Sequence, residues 1–152
     1  MKLVLAHGIL GFGQNNFSFG LNYFNGVRPI FEDAGFEVFE PSVEPLGSLD
    51  VRSRQLADQI NFRWPGASDI VVIAHSMGGL DARRVIAHYP VGKRIKRLIT
   101  IATPHYGSPV ADAVLGDNAA LLEKMPPQLL AYLQKNLGAI EDLKTRDSLQ
   151  DP

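Results

Sequence analysis

The segment "DIVVIAHSMGGLDARRVIAHY", residues 69–89, constrains the fold of this chain more than any other. Ile70 to Ala74 is an unbroken apolar run, as expected for a strand buried on both faces. From Met77 onward the apolar residues follow helical spacing until Pro90 stops them. Between strand and helix stands Ser76, with Ala74 two residues before it and Gly78 and Gly79 just after. Passing from strand to helix through one residue forces a sharp turn. The positions two before and two after that residue then approach each other and the neighbouring strands, so they must be small. Glycine is the common occupant of the first; Ala74 is the mildest departure from it. The pattern predicts a strained turn that exposes the Ser76 hydroxyl at the C-terminal edge of a sheet, where open α/β sheets place ligands. N–H groups at the start of the following helix would favour negative charge at the same spot. A serine before a helix can also be a simple N-cap, but a cap does not require small residues around it.

The flanking sequence supplies the sheet. Lys2 to Ala6 reads as a first strand, and "FEVFEP" as a second that Pro41 ends. "GILGFGQNNFSFG", residues 8–20, is a loop, and "YFNGVRPIFEDAG" a helix with Pro29 in its first turn and Gly35 at its end. Ser48 caps a helix over "LDVRSRQLADQINFRW", whose Leu49, Leu56, Ile60 and Trp64 share one face. "RIKRLITIATP" is a further strand, with basic residues ahead of its buried part. The alternation of strands and helices over residues 1–104 implies an α/β fold with a parallel sheet and helices on both faces. Two domains are expected, residues 1–107 and 108–152. In the second, "SPVADAVLG", "MPPQLLAYLQKNLG" (closed by Gly138) and "AIEDLKTRDSLQ" read as helices, with Leu129, Leu130, Leu133 and Leu137 as an apolar stripe.

Composition excludes several functions. The net charge of −1 gives no basic surface for nucleic acid. The chain has no cysteine, hence no disulfide, thiolate metal site or cysteine nucleophile. "MKLVLAHGIL" resembles a signal segment, but His7 and Gly8 interrupt its apolar run, so it reads as a strand. Nothing reaches the roughly 18 apolar residues of a membrane-spanning helix.

If Ser76 is a nucleophile for acyl transfer, two N–H donors must hold the oxyanion. The residue after the nucleophile, Met77, supplies one. The other comes from a loop at the end of an early strand, where Ile9 follows His7-Gly8. Glycine at position 8 lets the backbone approach closely. His7 is expected to order this loop by hydrogen bonding rather than to take part in chemistry.

Three segments, "HGILGF", "VVIAHSMGGLDAR" and "LITIATPHYGSPVAD", resemble the α/β-hydrolase fold, and in particular the bacterial true lipases of the Pseudomonas and Burkholderia type. The resemblance implies that Ser76 is the nucleophile of a carboxylic-ester hydrolase. Ile9 and Met77 would be its oxyanion donors, with His7, Gly8, His75 and Gly78 in support. It implies a helical lid over residues 108–152, with Leu129, Leu133 and Leu137 facing acyl chains or a lipid interface. Plain packing onto the core is the other reading of that stripe. The family is often secreted, but no signal segment is visible and location stays open.

The serine also needs a histidine and an acid, which in this fold follow it in the order acid, then histidine. Only His88 and His105 follow Ser76. His88 ends the next helix, which carries it away at about 1.5 Å per residue. His105 matches the histidine of the family's "PHxGS" segment, which is not the base. The later strands, the acid and the base are therefore expected outside this chain, on a missing C-terminal segment or a second chain. No metal or cofactor site is expected within it; the lipases' structural calcium would lie in the absent half. A sheet ending here would expose "RLITIA" as an apolar edge. The alternatives are a short paralogue that binds an acyl ligand or partner without catalysis, and a serine hydrolase of another kind, such as a thioesterase or polyester hydrolase.

Overall fold

A computed structural model describes residues 1–9, 23–116, 126–128, 130–131 and 137–145. The chain divides into two compact units, Met1–Thr103 and Pro104–Pro152.

The first unit is a four-stranded parallel sheet, β1 (Lys2–Ala6), β2 (Glu37–Phe39), β3 (Ile70–His75) and β4 (Ile95–Ile101), in the order β2-β1-β3-β4. Helices α1 (Val27–Asp33), α2 (Leu49–Arg63) and α3 (Met77–His88) connect consecutive strands, and a 3-10 turn, Pro90–Arg94, leads into β4. The period of two along each strand sends alternate side chains to opposite faces. Val4, Ala6, Val72 and Ala74 pack against Leu56, Ala57 and Ile60 of α2 and Ala82 and Val85 of α3. Leu3, Leu5, Val38 and Val71 form the other face, covered by Phe24, Val27, Phe31 and Phe36. Burying each large aliphatic side chain contributes about 1.5–3 kcal/mol, so these two layers hold the unit together. The sheet is thus parallel with helices on both faces, as the sequence pattern implies.

From β1 the chain steps outward to β2, returns past β1 to β3, and continues in the opposite direction to β4. The direction of winding reverses between β1 and β3, and ligands of open α/β sheets bind at the C-terminal ends of strands at such a point. His7-Gly8 follows β1 and Ser76 follows β3.

Two differences from the sequence expectation have local causes. The helix expected over "YFNGVRPIFEDAG" is only Val27–Asp33, because Tyr23–Gly26 form a turn and Gly26 adopts φ 75°. The strand expected in "FEVFEP" covers only Glu37–Phe39. Within the "RLITIA" segment expected to be exposed, Ile99 and Ile101 of β4 are 47% and 50% exposed. They pair with Ile73 and His75 on the face covered by α1, but α1 packs beside β2 at the far edge and leaves β4 bare there.

In the second unit, α4 (Pro109–Leu115) follows Ser108, and α5 (Leu137–Glu141) buries Ala139 and Ile140. Gly138 lies inside α5 instead of closing the preceding helix, and the helix expected from Ala139 onward ends at Glu141. The Ser108 N–H donates to the Leu143 carbonyl, and the Thr145 N–H to Asp112 Oδ1 at 2.8 Å, which ties α4 to the segment after α5. Leu129 and Leu133 lie outside the described residues, as does the side chain of Leu137. Among the described residues no helix is long and apolar enough to cross a membrane.

Candidate active site

Ser76 joins β3 to α3 with φ 54° and ψ −130°, a conformation that costs a non-glycine residue about 1–3 kcal/mol. It occupies the N-cap position of α3, yet its side chain makes no capping hydrogen bond. The capping reading is therefore not what the hydroxyl does here. The backbone holds the turn: the Ser76 N–H donates to the Ile101 carbonyl at 2.9 Å, and the Gly79 N–H to the Ser76 carbonyl at 3.0 Å. Met77, the first residue of α3, is fully buried.

Small residues are required where the sequence has them. A Cβ on Gly78 would lie 2.6 Å from the carbonyl oxygens of both Ala6 and His7, so α3 begins in contact with the end of β1. A Cβ on Gly8 would lie 2.6 Å from Ser76 Cβ and 2.8 Å from the Tyr23 hydroxyl. The loop after β1 and the turn after β3 are thus brought into contact. Gly79 abuts Thr103, whose buried hydroxyl has no hydrogen-bond partner among the described residues. Ala102, just past β4, has φ 49°; Ser76 and Ala102 are the two non-glycine residues with positive φ among those described. Both follow the C-terminal end of neighbouring strands.

His7 is 2% exposed, and both ring nitrogens are engaged. The Val43 N–H donates to Nε2 at 3.2 Å, which leaves the proton on Nδ1, 2.8 Å from the Gly8 carbonyl. Burial pushes its pKa down to about 4, opposed by the Gly8 hydrogen bond and reinforced by the positive charge of Arg52. The ring stays neutral near pH 7 and orders the loop. His75 places Nδ1 2.5 Å from the Tyr23 hydroxyl. Both ring nitrogens of His7 and Nδ1 of His75 are therefore directed to the loop and its support.

Three residues that the sequence reading passed over complete the support. Arg52 on α2 and Asp81 on α3 form an ion pair at 2.7 Å, with side chains 0% and 1% exposed. Arg52 also donates to the carbonyl oxygens of His7 at 3.0 Å and Glu44 at 2.9 Å. A signal was present: Arg52 falls four residues before Leu56 and eight before Ile60, on the buried stripe of α2. Tyr23 is the third. Its hydroxyl accepts from the Gly8 N–H at 3.0 Å, and its ring packs edge-on against Phe24. Among the described residues, no cluster of three His, Cys, Asp or Glu side chains could hold a metal ion.

The chain is similar to known lipases in sequence and to solved hydrolases in fold. The chain is 32% identical over 112 residues to a triacylglycerol lipase of Pseudomonas fragi, covering 72% of this chain and 36% of that one. With a triacylglycerol lipase of Burkholderia plantarii it shares 31% over 117 residues, 74% and 32% of the two chains. The chain therefore spans about a third of the length of the curated relatives it matches. Among solved structures, the mature Bacillus licheniformis lipase superposes with a TM-score of 0.73 at 21% identity, over 95% of this chain and 54% of that one. An extracellular alpha/beta-hydrolase from a Paenibacillus species gives 0.56 at 18% identity, over 89% and 50%. The fold is that of the α/β-hydrolases. The family model described as the PGAP1-like alpha/beta domain matches residues 53–151, more than half of the chain, and the chain belongs to that family.

Proposed function

We propose that this chain carries the nucleophile and the oxyanion loop of a serine carboxylic-ester hydrolase acting on triacylglycerols or other long-chain esters. The observation that carries the reading is Ser76: a strained, uncapped serine at the point where the sheet reverses its winding, in contact with the Gly8 loop. Strain of this kind gathers at functional sites. In the proposed reaction the Ser76 hydroxyl attacks the ester carbonyl, and the Met77 and Ile9 N–H groups hold the oxyanion. The alcohol leaves, and water releases the acid from the acyl-enzyme. The triacylglycerol lipases among its relatives support the substrate class.

Ser76 needs a base, and both ring nitrogens of His7 and Nδ1 of His75 are engaged by the loop and Tyr23. We assign the base and its acid to the part of the protein beyond this chain, which the relatives' greater length supports. β4 is the outer strand of the described sheet, and its edge suits a further strand supplied by that part. Residues 108–152 are assigned as the lid segment that the likeness to triacylglycerol lipases suggests. Reaction of the full-length protein with a fluorophosphonate tests the assignment. Ser76 should carry the adduct, and Ser76→Ala should lose both adduct and ester hydrolysis while remaining folded. Hydrolysis by Ser76→Ala near the wild-type rate would overturn it.

A further inference from the structure

Two consecutive peptide groups lead from β1 into the loop beside Ser76, and both are gripped. The His7–Gly8 peptide is held at each end: Arg52 Nη2 donates to its carbonyl at 3.0 Å, and its N–H donates to the Tyr23 hydroxyl at 3.0 Å. The Gly8–Ile9 peptide has its carbonyl held by His7 Nδ1 at 2.8 Å. No peptide bond among those described is cis, so the C=O and N–H of each point in opposite directions. Fixing the Gly8 carbonyl toward the His7 ring therefore fixes the Ile9 N–H away from it.

The hydroxyl of Tyr23 completes the grip. Because it accepts from the Gly8 N–H, its own proton is free to go to His75 Nδ1, 2.5 Å away. His75 precedes Ser76 and ends β3. The hydroxyl thus bridges the end of β1 to the end of β3. We propose that Tyr23 is a positioning residue: its hydroxyl, bridging the Gly8 N–H and His75 Nδ1, fixes the backbone that presents the Ile9 N–H beside Ser76. The assignment rests on the hydrolase reading above. Burial raises the pKa of Tyr23, which keeps the proton on its oxygen. Misplacing a donor of this kind lowers the rate of the chemical step more than it weakens substrate binding.

The test is Tyr23→Phe in the full-length protein. Phenylalanine keeps the ring that packs on Phe24 and between His7 and His75, and removes only the oxygen. With a p-nitrophenyl ester, kcat should fall about 10- to 100-fold while KM stays within about twofold. Unchanged kcat overturns the proposal. So does a raised KM with kcat retained, which would put the hydroxyl on the substrate instead. A second measurement needs no variant. Nitrogen-15 NMR of the wild-type protein should find His75 protonated on Nε2 with Nδ1 an acceptor; a proton on Nδ1 overturns the relay. If the wild-type protein hydrolyses no ester, the hydrolase reading fails, and the His75 tautomer still decides whether the relay exists.

Discussion

Arg52 and Asp81 meet between α2 and α3 with Nη2 and Oδ2 2.7 Å apart and with essentially no solvent exposure. Two donors from Arg52 reach Asp81, and two more reach the backbone carbonyls of His7 and Glu44. Removing one partner of such a pair leaves a buried charge uncompensated. Asp81→Ala should therefore destabilise the fold by about 3–5 kcal/mol, read as a lower urea midpoint. The double variant Arg52→Met/Asp81→Leu should recover most of that loss. A double variant as unstable as the single one would show that the carbonyl contacts matter more than the pair.

His7 links stability to pH. Its folded pKa of about 4 lies below the ordinary 6.5, so the unfolded chain binds the proton more readily. Its contribution is complete above pH 6.5, declines as pH falls toward 4, and is level below that. The full effect is about 3 kcal/mol. His7→Gln, which can still accept from Val43 and donate to Gly8, does not titrate. The stability gap between wild type and variant should narrow between pH 6.5 and 4. A constant gap would mean that His7 does not carry this linkage.

The turn at Ser76 opposes stability. Ser76→Gly places at φ 54° the residue best able to adopt it, and should raise stability by about 1 kcal/mol while removing ester hydrolysis. Thermal unfolding measured alongside turnover checks both. A destabilised Ser76→Gly would mean that the hydroxyl has a structural partner.

Two glycine-to-alanine changes should have opposite signs. Gly78→Ala pushes a methyl group against backbone oxygens of β1 and its loop, and should cost about 1–3 kcal/mol. Gly138→Ala adds its methyl in open space within α5, and should gain about 0.5–1 kcal/mol. Denaturation midpoints for the two variants suffice. Equal effects would contradict the close approach of α3 to β1.

Much of this architecture could be read from the residues. The apolar run Ile70–Ala74, the small residues around Ser76 and the Ser48 cap each obey local rules, and β3, α3 and the start of α2 lie where those rules put them. Ser48 accepts from the Val51 N–H. What could not be read was long-range. Tyr23 acts on residues 15 and 52 positions away, and its own segment takes a turn that helical spacing does not distinguish from the start of a helix. Arg52 finds Asp81 29 positions along the chain. A charged residue on a buried stripe shows that a partner exists without naming it.

Among the described residues, the contacts that hold the turn at Ser76, from His7 and Tyr23 through Arg52 and Asp81 to Ile101, fall within Met1–Thr103. On a ribosome these residues emerge before residue 104, and domains made in this order can fold as they appear. The setting of Ser76 can then form while the chain that follows is still being synthesised. A strained turn assembled that early takes its shape from residues already made.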